Sequence, residues 1–170
     1  MQTVTVERTI YAPQDAVFDF MSNAANFTRS PLVLRQRLAE PGHDAAYGQG
    51  ALRILLWAIG WFRERVTDYD APHSFDYTVE RSFPPSEHRH GRVSFTPVDG
   101  GTHVVWTTTF RVKFPIVGAA LTRWIGRPAL SKVFNDVMDA AETDLTAATT
   151  ARARRSWYRS YAAGGSTRPD

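Results

Sequence analysis

From Leu130 onward, apolar residues return at Val133, Phe134, Val137, Met138, Ala141, Leu145 and Ala148, in steps of three and four. Lys132, Asn135, Asp136, Asp139, Glu142 and Thr143 fall between them. A helix that turns once per ~3.6 residues gathers the first set into one stripe and sends the second to the opposite side. The spacing therefore predicts a long amphipathic helix, from about Pro115 to about Thr150, whose stripe needs cover from elsewhere in the chain. Apart from two short helical segments, everything before it reads as strand, so the expected cover is a curved sheet. With 170 residues, 43% of them hydrophobic, the chain has enough apolar mass for one domain with its own core. Function is expected in the space between helix and sheet.

The strands can be placed in register. Val4, Val6 and Ile10 alternate with Thr3, Thr5, Glu7 and Thr9, as in a half-buried strand. Pro13 suits the first position of a helix, Ala16, Val17, Phe20 and Met21 give that helix an apolar side, and residues 24–29 read as a second short turn. Leu32 to Leu38 is a strand candidate, and Leu52 to Ile59 is apolar on both sides apart from Arg53, as in a strand that lines a cavity or is buried on both faces. A turn at Asp70-Ala-Pro-His73 sets Val66 against Tyr77, Glu64 against Val79 and Phe62 against Arg81. Asp99-Gly100-Gly101 is stronger turn chemistry, because glycine takes positive φ without steric cost, and it sets Phe95 against Val104 and Val93 against Trp106. Pro128 pushes its predecessor out of helical geometry, which predicts a kink at Arg127-Pro128.

Composition narrows the chemistry. There is no cysteine, so disulfides, thiolate nucleophiles and cysteine zinc sites are excluded. The first residues lack an export pattern and the longest apolar run, Ile54 to Phe62, is far short of a bilayer span, so the expected compartment is the cytoplasm. Residues 152–170, with five arginines against one acid, carry +4 and leave the rest of the chain at −1 of the net +3. That segment is expected to be a flexible basic tail after a domain of residues 1–151, with weak contact to an anionic membrane surface as an option through Trp157, Tyr158 and Tyr161. The nearly neutral body offers no nucleic-acid surface. A G-x-S-x-G elbow, a phosphate loop and a dinucleotide fingerprint are all absent. His88 and His90 have a spacing compatible with one strand face, but no third ligand accompanies them; they follow Pro84-Pro85-Ser86 and are expected in an exposed loop, with no metal and no cofactor.

Glu64 is the first candidate for chemistry. On the register above it shares a face with Phe62 and Val66, where an unpaired carboxylate is costly, so it should be paired, wet, or raised in pKa. Arg8 and Arg53 are the candidate partners. Two readings stand side by side: a structural ion pair, and a general base on a ketone. Tyr77 is the second candidate, with an O–H to offer a ligand carbonyl.

Several strings carry a resemblance: Ile10-x-Ala12-Pro13-x-x-x-Val17-Phe18, then Arg63-Glu64-Arg65-Val66-Thr67-Asp68-Tyr69, then Gly91-x-Val93-x-Phe95-Thr96-Pro97 with Gly100-Gly101-Thr102-x-Val104-x-Trp106. In these and in its order of elements the chain resembles bacterial members of the START-like superfamily, of the polyketide cyclase/dehydrase and lipid-transport type. The resemblance implies an α+β helix-grip fold, a seven-stranded antiparallel sheet wrapped around a long C-terminal helix, with two short helices between the first two strands. It also implies an apolar tunnel that takes a small hydrophobic molecule such as a lipid, a polyketide or an isoprenoid. The expected lining follows by element: Phe62, Glu64 and Val66; Tyr77 and Val79; Val93 and Phe95; Trp106 and Phe110; Phe134 and Met138. The expected role is carrier or sensor, with a polyketide aromatase/cyclase or dehydratase as the alternative, in a monomer or homodimer.

Overall fold

The structure, a computed structural model, describes residues 1–114 and 118–164, with side chains in the last helix through residue 148. Seven strands are present: β1 (Gln2–Ile10), β2 (Val33–Glu40), β3 (Leu52–Trp57), β4 (Gly60–Asp70), β5 (Ser74–Phe83), β6 (Ser86–Val98) and β7 (Gly101–Val112). They form one antiparallel sheet in the order β1-β7-β6-β5-β4-β3-β2. Helix α1 (Gln14–Ser22) and a 3₁₀ helix (Ala24–Arg29) carry the chain from the β1 edge to the β2 edge. Pro13 caps α1 from one position before its first turn. Helix α2 (Gly118–Leu121), a π turn (Thr122–Gly126) and α3 (Arg127–Gly164) complete the chain.

The stripe on α3 is buried as its spacing requires: Val133, Phe134, Val137, Met138 and Ala141 are all removed from solvent. Phe134 stacks on Trp106 of β7 with ring centroids 3.9 Å apart and planes 9° from parallel, which joins helix to sheet. The helix expected to stop near Thr150 continues to Gly164, and the side chains expected to form the basic tail, like residues 115–117 where the helix was expected to begin, lie outside the described residues. Arg127 does not leave helical geometry as expected, with φ −58° and ψ −53°; the irregularity before Pro128 is instead the π turn at Thr122–Gly126. Pro128 has no N–H to return to residue 124, and the Arg127 N–H bonds Thr122 O, five residues back.

The β6–β7 hairpin has the predicted register, Phe95 opposite Val104 and Val93 opposite Trp106, closed by Asp99-Gly100 with Gly100 at φ 76°. In the β4–β5 hairpin Val66 faces Tyr77 and Glu64 faces Val79 as expected. Phe62, however, faces Ser82 rather than Arg81, because Glu80 is an extra residue in a β-bulge and shifts every pair beyond it.

Candidate ligand cavity

Between the inner face of β4–β7 and the start of α3 lies a cavity of about 300 Å³. Along β7 every second residue, Trp106, Thr108, Phe110 and Val112, faces it, as the two-residue period of a strand dictates. Phe62 and Glu64 of β4, Tyr77 and Val79 of β5, and Leu130 and Phe134 of α3 supply the other walls. Ile125 in the π turn lines the cavity and is also 50% exposed, which marks the mouth; Pro84, at the tip of the β5–β6 hairpin, lines the same cavity.

Four residues expected in the lining are elsewhere. Val93, Phe95 and Met138 point inward but belong to solid core, where α1 fills the space: Phe18 packs edge-on against Phe95 at 5.2 Å. Val66 is buried away from the cavity, its N–H bonded to Ala51 O and its carbonyl accepting from Gly50 N. Phe27, Ser86, His88 and Thr108 line the cavity without having been placed there by sequence reasoning, whereas Trp57 belongs to the stretch read as lining a cavity or buried on both faces. A residue expected in an exposed loop is thereby corrected. His88 lies in β6 with its ring inward, while His90 sits by Asp76 on the outer face, 3.7 Å away. A bulge between them makes Arg89 the extra residue and reverses the parity that a plain two-residue spacing implies. Among the described residues no three His, Cys, Asp or Glu side chains gather as a metal site.

One strip of the wall is polar. Arg53 and Glu64 are direct neighbours across β3 and β4, and Arg53 Nε donates to Glu64 Oε2 at 2.9 Å. The guanidinium is 0% exposed and lies among the rings of Tyr77, Phe27 and Phe75, at 5.0, 5.2 and 5.8 Å from their centroids. Neither Nη atom meets a hydrogen-bond partner among the described residues. Arg8, the other expected partner of Glu64, instead pairs with Asp139 and Glu142 on α3. Burial pushes the Glu64 carboxyl above the usual carboxylate range, and the charge and hydrogen bond of Arg53 offset only part of that rise.

Next to this pair, the Val79 N–H donates to His88 Nδ1 at 3.2 Å, which makes Nδ1 an acceptor and leaves the ring proton on Nε2. That proton goes to Thr108 Oγ1, 2.8 Å away. Burial, with the neighbouring His90 as a lesser cause, holds the imidazole down at about 4, so it is neutral at ordinary pH. Trp106 Nε1 donates to the Tyr77 hydroxyl at 3.0 Å. An indole N–H can only donate, so Tyr77 accepts there, and its own proton is left for a ligand oxygen. Burial first, and the Glu64 carboxylate second, raise the phenol above its ordinary value. The wall therefore presents a phenolic donor beside a carboxyl group, set among aromatic and aliphatic side chains.

A family model described as polyketide cyclase/dehydrase and lipid transport matches residues 1–149. The chain belongs to this family. Solved structures of low identity share its fold. TTHA0849 from Thermus thermophilus has 17% identity and a TM-score of 0.69, with 86% of this chain and 99% of that one covered. A START superfamily protein from Mycobacterium smegmatis has 14% identity and a TM-score of 0.64, with coverage of 85% and 97%. The di-domain ARO/CYC StfQ from the steffimycin biosynthetic pathway has 17% identity and a TM-score of 0.57, and the match spans 82% of this chain and 44% of that two-domain one. Among curated proteins, none matches the chain. At these identities the solved structures speak for the fold; the cavity has to speak for the chemistry.

Proposed function

We propose that this protein binds one small, largely apolar molecule, a lipid, a polyketide or an isoprenoid, in the cavity between sheet and α3, and that it serves as a carrier or sensor of that molecule. The observation that carries the reading is the cavity itself, walled by Trp57, Phe62, Trp106, Phe110 and Phe134 and interrupted by a polar strip at Glu64 and Tyr77. A ligand that loses ~250 Å² of apolar surface gains about 6 kcal/mol before the costs of association, at ~25 cal/mol per Å². The Tyr77 O–H supplies orientation, since a ligand oxygen placed against it gains a hydrogen bond that water in an apolar cavity satisfies poorly. Native mass spectrometry of freshly purified protein, followed by solvent extraction, tests the reading: a stoichiometric adduct of an apolar molecule is expected. Failure of lipids, polyketides and isoprenoids alike to bind on addition would overturn it.

A second reading is favoured by one specific observation, the raised carboxyl of Glu64 beside the phenolic proton of Tyr77. In this reading the pocket folds a poly-β-ketone, Glu64 takes a proton from a carbon between two carbonyls, and Tyr77 donates to the carbonyl oxygen where the charge collects. The family description and the ARO/CYC neighbour support the same class. Single-turnover assays with a cyclisable poly-β-ketone thioester separate the two: Glu64→Gln should abolish turnover if the protein is an enzyme, and unchanged turnover removes Glu64 from catalysis.

A further inference from the structure

The charges around the mouth of the cavity are one-sided. Residues 100–135 contain no aspartate or glutamate, while Arg111, Lys113, Arg123, Arg127 and Lys132 all fall within them. Two of these cations are neutralised, Arg111 by Glu87 at 2.6 Å and Lys132 by Asp136 at 2.9 Å. Lys113, Arg123 and Arg127 are exposed and take no ion pair among the described residues, and on the opposite lip, at the β5–β6 hairpin, the same holds for Arg81 and Arg89. The acids of α3 lie further along, where Asp139 and Asp144 are occupied by Arg8 and Arg29.

The same two lips carry large exposed apolar side chains. Trp124 is 70% exposed and Ile125 50%, both in the π turn, and Phe83, next to Pro84 across the mouth, is 60% exposed. Phe114 is 41% exposed beside Lys113, whose N–H is tied to Pro85 O at 2.7 Å, so this segment adjoins the hairpin lip. The Arg123 guanidinium lies over the Trp124 ring at 5.1 Å, leaving its charge outward with the indole. Aromatic rings and branched aliphatic side chains interleaved with unpaired arginine and lysine match the boundary of an anionic bilayer, where rings settle at headgroup depth and cations meet lipid phosphates. A protein partner would need shape and hydrogen-bond complementarity, whereas a bilayer asks only for exposed rings and outward cations of the kind this rim carries. A π turn at that point gives the lip a backbone irregularity of the kind that often sits at functional sites.

We propose that the mouth of the cavity docks on an anionic lipid bilayer, with Trp124, Ile125 and Phe83 at the interface and Lys113, Arg123 and Arg127 against the headgroups, so that the ligand passes between membrane and cavity without crossing water. The surface is independent of what the cavity holds: vesicle binding can fail while a bound adduct persists, and the two findings are read separately. The test is co-sedimentation of the full-length protein with sucrose-loaded vesicles of phosphatidylcholine alone or with one quarter phosphatidylglycerol. Binding to the phosphatidylglycerol vesicles is expected, with a partition at least about tenfold lower on phosphatidylcholine alone and on addition of salt. Trp124→Ala with Phe83→Ser should lose about tenfold as well, and Arg123→Gln with Arg127→Gln a comparable amount. Because these side chains are exposed, the variants should keep the wild-type melting temperature, and circular dichroism checks that they do. A full-length variant with Arg152, Arg154, Arg155 and Arg159 changed to Gln controls for the C-terminal arginines and should retain binding. Equal sedimentation of wild type and mouth variants, loss confined to the C-terminal variant, or a concentration-dependent dimer that the Trp124 variant abolishes would each overturn the proposal, the last by giving the surface to a second copy of the chain.

Discussion

Replacing Arg53 with methionine removes the cation paired with a carboxyl group whose side chain is 8% exposed. Breaking a buried ion pair from one side costs about 3–5 kcal/mol, because the remaining charge is stranded. A domain of this size has on the order of 5–15 kcal/mol in total, so the loss is large but measurable by urea unfolding followed by far-UV circular dichroism at neutral pH. The paired change Arg53→Met with Glu64→Leu should behave differently. In the native protein both Nη atoms of Arg53 are already without partners, a cost that the double variant removes along with the pair. It should therefore unfold within about 1 kcal/mol of wild type, or above it. In the single variant the burial that raises Glu64 acts without the opposing guanidinium, so the folded value rises further. A raised folded value means stability that is full below the unfolded carboxyl pKa and lost as pH climbs through the folded one; the deficit of Arg53→Met should thus shrink on acidification toward about pH 4.5. A loss under about 1 kcal/mol in the single variant, or a double variant equal to the sum of Arg53→Met and Glu64→Leu, would refute the coupling.

Three further outcomes follow from the same wall. Tyr77→Phe leaves the buried Trp106 N–H without its acceptor and should cost about 1–3 kcal/mol in urea unfolding, while weakening an oxygen-bearing ligand about tenfold in a fluorescence titration. Gly91→Ala sets a Cβ 2.3–2.6 Å from the Tyr77 ring and should cost about 1–3 kcal/mol, read as a lowered melting temperature; an unshifted melt would mean the ring moves freely. His88, held down at about 4 against an ordinary 6.5, contributes stability that is full above pH 6.5 and lost as pH falls toward 4, worth about 3 kcal/mol. Its imidazole NMR signals should stay constant from about pH 8 to pH 5, and a midpoint near 6.5 would contradict the Val79 and Thr108 bonding.

What was legible in the sequence was whatever is set locally. The α3 stripe follows from helical period alone, and the β6–β7 register follows from two residues, Asp99 and Gly100, whose conformation needs no tertiary help. With that register in hand, Trp106 and Phe110 could be assigned to the inner face. The bulges at Glu80 and Arg89 were not legible, because an extra residue is chosen by fit across strands and leaves no mark in alternation. His88 was misplaced because Pro84-Pro85-Ser86 reads as a loop, whereas β6 already begins at Ser86. Inward direction was also read correctly for Phe95 and Met138, but whether an inward residue meets cavity or core depends on how far α1 reaches beneath the sheet. Arg8 and Arg53 were equal candidates for Glu64 by sequence; the β3–β4 register decided for Arg53, and the acids of α3 took Arg8.

The central claim, that a small molecule sits against Trp106 and Tyr77 inside the sheet, is tested most directly by the indole N–H signals of the five tryptophans. Titration with 2-acetonaphthone, an apolar ring system bearing one carbonyl, should shift the Trp57 and Trp106 signals to saturation at one equivalent, with Trp61, on the outer surface at 39% exposure, unmoved. Tyr77→Phe should weaken that titration without relocating it. Shifts confined to the exposed indoles of Trp61 and Trp124, or none at all at millimolar probe, would contradict the account.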